Sequence, residues 1–412
     1  MMFRASKTMS VHLACLALTV AMTACGSVGE ESGDEAEAQD DGPALNDLPS
    51  CDGDAADGEA CTDDTGARLC AVDTGYPGDE LALCGPDQGD GFLFHYGPSD
   101  YDDPDEVAKY LLEGGGEDEN CVYLRTPNEE TVFANTFHGR MRPGSHHLIV
   151  TITEESDDIV FNTPVSCSQS GAITDRWLVG SQDPQIDVSV TGSEVSGPLP
   201  GDPEFGGAIR IPPSSILRVD MHYLNPTDNE ILREAWIWLE RVPEDEVEVE
   251  VDLISWLQGS IDVPPQSTGV TTSIARCNVP TDRNLALVTG HFHENGTRFT
   301  VWHEPQGQEP VKIYETFDWE NPGNGVFNDR QDNPPMGDVG ARWGARSGYM
   351  ELKAGDHVNF QCEFDNPTDE TVALGDTGKD QMCNVFGFYY PSDGDTWDCS
   401  CLGSLCLSGL NF

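Results

Sequence analysis

The stretch "LALVTGHFHENGTRFTVWH", residues 285–303, decides how the chain is read. It runs as a strand, a turn and a second strand. Side chains alternate faces along a strand, so Leu287, Thr289, His291 and His293 share one face and Val288, Gly290 and Phe292 the other. "ENG" at 294–296 supplies the hairpin turn. His-x-His on a strand delivers two imidazoles to one point, as a metal site requires. A pair of half-buried strand histidines without a ligand role is the competing explanation. With only 10 histidines in 412 residues, the placement of the others bears on the choice.

Similar texture extends outward. Short runs rich in Val, Ile, Thr, Phe and Trp alternate with Pro, Gly, Asn and Asp, as in "HHLIVTITE", "AIRIPPSSILRVDMHYL", "EAWIWLERV", "VEVEVDLISWL" and "CNVFGFYY". One segment reads as a helix, "DPDEVAKYLLEG" at 102–114, with an Asp cap, Pro104 near its start and Gly after its end. Many short strands without intervening helices predict an all-β protein. The expected architecture is two tandem antiparallel β-sandwich (jelly-roll-like) domains, at 90–245 and 246–412, joined through "RVPEDEVEVEVD" at 241–252.

The N-terminal part reads differently. Arg4 and Lys7 precede an apolar run from Val11 to Ala24 that is too short to span a bilayer, so residues 1–24 read as a signal peptide. Met22-Thr23-Ala24-Cys25 resembles a bacterial lipobox, with Met22 where Leu is usual, and implies a lipidated Cys25. Plain secretion with cleavage elsewhere is the alternative. Residues 25–50 read as an acidic disordered tether: from Gly26 to Cys61 there are twelve acidic residues and no Lys or Arg. Residues 51–88 hold four cysteines among Gly and Asp and read as a small disulfide-stapled module lacking a core of its own. The expected location is a bacterial cell envelope, on the outer-membrane or periplasmic side. The lipid would be the only membrane contact.

Charge and cysteines narrow the function. A formal charge of −52 argues against nucleic acid, which needs clustered Lys and Arg, and against an anionic membrane surface. Setting aside Cys15 and Cys25, twelve of the 14 cysteines remain, which in an oxidising compartment reads as up to six disulfides. Cys399 and Cys401 are too close in sequence for an ordinary bridge to each other. No GxSxG, P-loop, HExxH or Rossmann fingerprint sits in its required context.

Three further segments bear on His291 and His293. "RPGSHHLIVTI" puts His146 beside His147; neighbours on a regular strand point apart, so both can reach one metal only at a strand start or a bulge, and Pro143-Gly144 favours an irregular start. "LRVDMHYLNPT" places His222 at the end of a strand, and "KDQMCNVFGFYY" places Met382 beside Cys383. A methionine at a strand start is ordinarily core, but its sulfur is also a soft ligand that selects copper, above all Cu(I).

Taken together, His146-His147, His222-Tyr223, His291-Phe292-His293 with Gly296, and Met382-Cys383-Asn384 resemble, in that order, the copper type II, ascorbate-dependent monooxygenases, which include peptidylglycine α-hydroxylating monooxygenase and dopamine β-monooxygenase. The resemblance spans about residues 90–400. It implies two copper ions per chain at separate mononuclear sites: His146, His147 and His222 in the first domain, and the catalytic set His291, His293 and Met382 in the second. The two would face each other across a solvent-filled cleft. It further implies O2 and a small-molecule or peptide substrate as partners, with ascorbate or another small reductant as co-substrate, and one oxygen atom inserted into a C–H bond. Asn384 would face the substrate. A disulfide between Cys362 and Cys383 would pin the methionine strand; Cys277 would pair with Cys399, Cys401 or Cys406, and Cys121 with Cys167. The chain departs from the peptide-hydroxylating members at Thr289, where they carry Arg, and at Phe386, where they carry Tyr, so a glycine-extended peptide is not the expected substrate. Arg298 reads as a surface residue, with holding the substrate as the alternative, His138 as a turn histidine, with support of a metal ligand as the alternative, and His95, His303 and His357 as surface or packing residues. A non-catalytic copper carrier on the same scaffold is the second reading. A third is a surface adhesion protein acting through its acidic stalk and four-cysteine module.

Overall fold

A computed structural model describes residues 61–407 except 63–66, 71, 87–88, 154–160, 168–174, 182–183, 191–205, 320–321, 324, 327–349 and 376–378. The signal, the tether, Cys25 and Cys51 lie outside the described residues.

The chain is an all-β protein built of four large sheets. A six-stranded sheet centred on Val132–Met141 and Ala235–Val242 packs on a five-stranded sheet centred on Glu117–Arg125, Ile216–Leu224 and Ser145–Thr153. Leu148, Val150, Leu217, Val219, Met221, Ile237 and Leu239 fill the space between them. A seven-stranded sheet holds Asp252–Gln258, Arg283–His291 and Asn384–Tyr390, and faces a five-stranded sheet of Gly296–Glu304 and His357–Asn366. Trp256, Val288, Phe292, Phe299 and Phe360 are buried there. Burial of these alternating apolar faces is what holds each pair of sheets together.

The crossing between the two halves is short. Val249–Glu250 still pairs with Gly207–Ile211 of the first half, and Asp252 already begins a strand of the second. The halves then share apolar packing: Val251, Leu253, Leu287, Phe388 and Tyr390 belong to the same buried cluster as the first sandwich's core. Arg176 donates from Nε and Nη2 to Asp252 Oδ1 at 2.8 and 2.5 Å, and Trp177 N–H donates to Thr396 Oγ1 at 2.8 Å. The Trp177 ring stacks on Phe386 at 5.1 Å.

One expectation is revised. The helix predicted over 102–114 is one α-turn, Pro104–Val107, capped by Asp103 and followed by a 3-10 turn, Ala108–Tyr110; Leu111–Leu112 then leaves as a strand. Tyr110 and Leu112 are drawn into the core, and that tertiary packing overrides helical propensity. The four-cysteine module does not stand apart. Cys70 bridges Cys84, and Leu69, Leu81, Ala82 and Leu83 pack against Trp236 and Trp238 on the outer face of the six-stranded sheet. A segment too small for its own core borrows one.

Candidate metal centre

His146 and His147 lie on the same side of the strand because the backbone breaks the strand rule there. His147 lies opposite His222 while Ser145 lies opposite Tyr223, so His146 is the extra residue of a bulge. Gly144, just upstream, holds φ at +92°, which favours glycine. The result is a compact set of rings, with centroids 5.4 Å apart for His146–His147, 5.0 Å for His146–His222 and 5.1 Å for His147–His222.

The second set forms at a strand end. The strand Arg283–His291 stops at its histidine, and Gly296 N–H donates to His293 C=O at 2.7 Å to close the turn. A Cβ on Gly296 would stand 1.9 Å from the Phe292 ring, so the turn admits glycine alone. His291 and His293 have ring centroids 5.2 Å apart. Asn384 pairs with His291 across the sheet, which sets Met382 Sδ at 3.1 Å from His291 Nε2 and at 3.6 Å from Asn384 Nδ2. The Cys362–Cys383 disulfide anchors the residue after Met382 to a strand of the opposite sheet.

Between the sets the geometry departs from expectation. No solvent-filled cleft separates them: His146 and His293 have ring centroids 5.3 Å apart, and His147 and His291 6.4 Å. All six side chains form one cluster, in which His147, His222, His291 and His293 are at most 7% exposed. The physical reason is the shared core and the Arg176–Asp252 pair, which hold the two middle sheets in direct contact.

Burial sets the electrostatics. It pushes the His146 imidazolium down to about 4, helped by the proximity of His222 and His293. His147 and His291 are driven well below the ordinary imidazole value for the same first reason, the other histidines adding to it. These rings are therefore neutral near pH 7, the form that ligates a metal. His146 Nε2, His147 Nδ1, His222 Nδ1 and His291 Nδ1 are buried without a hydrogen-bond partner. A buried lone pair with nothing to accept from is costly, and a metal ion would satisfy it. Neighbours orient two of the rings. Glu117 Oε1 lies 3.0 Å from His222 Nε2, so a proton there leaves Nδ1 free to ligate. Asp380 C=O lies 3.0 Å from His293 Nδ1, which orients Nε2 in the same way. Five imidazoles and one thioether make a donor set that fits copper, the thioether favouring Cu(I). Cysteine sulfurs of residues 277, 399, 401 and 406 also converge, but they are spent on the disulfides Cys277–Cys399 and Cys401–Cys406.

Other residues singled out in the sequence fall as follows. Thr289 donates to Gly323 C=O at 2.7 Å, and Phe386 lies 6.0 Å from the His291 ring. Arg298 pairs with Glu363, its neighbour across two strands of the five-stranded sheet that faces the His291 strand. His138 is not in a turn. It lies within Val132–Met141, fully buried, with Nδ1 2.6 Å from Asp187, Nε2 3.0 Å from Glu240, and its ring on Trp238 at 4.7 Å. His95 pairs with Glu234 and His303 with Asp356. Cys121 bridges Cys167. Glu117 and Asp380 are not marked by any sequence motif: Glu117 lies on the strand paired with His222, two residues from its register partner Glu119, and Asp380 lies two residues before Met382.

Comparison with known proteins adds little. No family model matches the chain, and no curated protein matches it. Among solved structures it has a likeness to a "putative secreted protein from Eubacterium rectale", over 74% of this chain and 75% of that one, at 8% identity and a TM-score of 0.19, too weak to carry any argument. Five disulfides among the described residues fit an oxidising compartment and export. Among the described residues no helix is long and apolar enough to cross a membrane.

Proposed function

We propose that the chain is a copper-dependent monooxygenase akin to the copper type II, ascorbate-dependent enzymes, held in a bacterial envelope by a lipid on Cys25. The observation that carries this reading is the convergence of His146, His147, His222, His291, His293 and Met382, brought together from four separate segments, with buried nitrogens on His146, His147, His222 and His291 that have no hydrogen-bond partner. Two copper ions, when bound, would carry electrons from ascorbate or another small reductant to O2, placing one oxygen atom in a substrate C–H bond while the other leaves as water.

The chain's own residues prepare that chemistry. Burial keeps His146, His147 and His291 unprotonated and ready to bind. Glu117 and Asp380 fix ring orientation at His222 and His293. Met382, placed by Cys383, gives the second set its soft donor. The wall beside His291 is aromatic, Phe386 on Trp177, and Thr289 stands where the peptide-hydroxylating members carry an arginine. This favours a small-molecule substrate over a glycine-extended peptide.

A second reading is a copper carrier without turnover, and one observation favours it: the two ligand sets touch and are buried together. Copper stoichiometry beside His146→Ala and His291→Ala separates the outcomes. Two coppers, one lost in each variant, with O2 uptake that follows reductant and substrate, supports the enzyme. Two coppers without substrate-dependent uptake supports the carrier. Absence of tight copper refutes both.

A further inference from the structure

Arg142 is fully buried four residues before His146, yet it is not among the candidate ligands. Its guanidinium is held on all sides. Nε donates to Glu234 Oε2 at 2.6 Å, and Nη2 to Asp79 Oδ1 at 2.8 Å. Nη1 donates to the carbonyls of Pro77 at 3.0 Å and Tyr76 at 3.3 Å. Asp79, Tyr76 and Pro77 all belong to the segment stapled by Cys70–Cys84. Asp79 is itself fixed by Thr74, whose N–H and Oγ1 donate to it at 2.8 and 2.6 Å. Gly78 rests directly on Pro143: a Cβ there would meet the proline Cδ at 2.7 Å.

Glu234 extends the same hub to the other ligand strand. Its side chain is fully buried and also accepts from Tyr101 Oη and pairs with His95 Nε2. Its backbone C=O accepts from Arg142 N–H at 3.0 Å and from Tyr223 Oη at 2.6 Å, and its N–H donates to Tyr223 Oη at 3.0 Å. Tyr223 directly follows His222. The approach to the His146 bulge and the departure from His222 therefore end on one cluster of charges. Leu224 N–H donating to Gly144 C=O at 2.8 Å closes the frame between them.

We propose that the stapled segment 67–84 is a positioning element for the three-histidine set, acting through Asp79, Arg142 and Glu234 to hold the His146 bulge against His222. The segment supplies the hub's outer carboxylate and covers Arg142 with its own carbonyls. Without it, a buried guanidinium would lose two carbonyl acceptors and one carboxylate, and the turn at Pro143-Gly144 would relax. The consequence for a metal rests on the copper reading; the consequence for the bulge does not.

The test is Asp79→Asn in the full mature chain, with Asp79→Glu as the restoring variant. Amide exchange over residues 144–147 in the metal-free protein is followed against residues 357–366 as an internal reference. Copper affinity of each ligand set is then measured by chelator competition in the His291→Ala and His146→Ala backgrounds. Expected are faster exchange at 144–147 alone and a loss of about 10- to 100-fold in affinity at the His146 set, the range found when groups that orient a metal ligand are removed. The His291 set should hold its affinity, and Asp79→Glu should recover most of the loss. Unchanged exchange and unchanged affinity at the His146 set, or an equal loss at both sets, would overturn the proposal. If the unsubstituted protein binds no copper, the copper reading fails while the exchange measurement still decides the positioning role. Should Asp79→Asn not fold, Cys70→Ala/Cys84→Ala releases the segment by another route and must reproduce the same pattern.

Discussion

Two disulfides of the second sandwich should separate stability from metal binding. Cys362–Cys383 closes a separation of 21 residues and Cys277–Cys399 one of 122. Loop-closure entropy then assigns about 3 kcal/mol to the first and about 5 kcal/mol to the second. All four sulfurs are buried, so replacing each pair by Ala adds a similar small void in both cases. On stability alone, Cys277→Ala/Cys399→Ala is the more damaging change. For the metal centre the order reverses. Cys383 directly follows Met382, whose sulfur lies 3.1 Å from His291 Nε2, whereas no residue beside Cys277 or Cys399 is a candidate ligand. Freed from Cys362, the Met382 segment loses its covalent tie to the opposite sheet, and affinity at the His291–His293–Met382 set should fall about 10- to 100-fold. Equilibrium denaturation of the metal-free variants reads the first order, and Cu(I) chelator competition reads the second. Equal copper losses in the two variants would refute the anchoring role of Cys383. A larger stability loss for the shorter loop would refute the entropic ranking.

Two further predictions follow from particular contacts. Burial alone would lower the His138 pKa, but its hydrogen bonds to Asp187 and Glu240 outweigh that and hold it above the ordinary value. A raised folded-state pKa contributes stability that is fully present below about pH 6.5 and lost as pH rises through the folded value. The stability gap between the natural protein and His138→Gln, measured by denaturation, should therefore shrink from about pH 6.5 upward, and a gap that widens contradicts the ion-pair assignment. Gly387→Ala would place a Cβ 2.0 Å from Leu287 C=O, forcing apart the strands that carry His291 and Asn384. We expect at least the ~1–3 kcal/mol typical of overpacking, together with loss of copper binding at the proposed His291 set, read by thermal unfolding and metal analysis; natural stability would show that the strands can yield there.

The sequence by itself determined the class of fold and singled out the histidines and the methionine that the fold brings together. Alternation along 285–293 is a local property, and it placed Val288 and Phe292 in the core and His291 on the opposite face. Pro143-Gly144 before two histidines announced an irregular strand start, and the bulge at His146 is there. The family resemblance left Cys277 with three possible partners; the fold pairs it with Cys399. Tertiary structure decided what depends on how sheets meet. The contact between the two histidine sets follows from Leu287, Phe388 and Tyr390 packing into the first sandwich's core, a long-range fit that no local pattern encodes. His138 was misread for the same reason, because its partners Asp187 and Glu240 lie 49 and 102 residues away. The four-cysteine segment lacks a core of its own, as its composition implies, but that Trp236 and Trp238 complete one is again a long-range fit. Periodicity fixes which way a side chain points; only packing fixes what it meets.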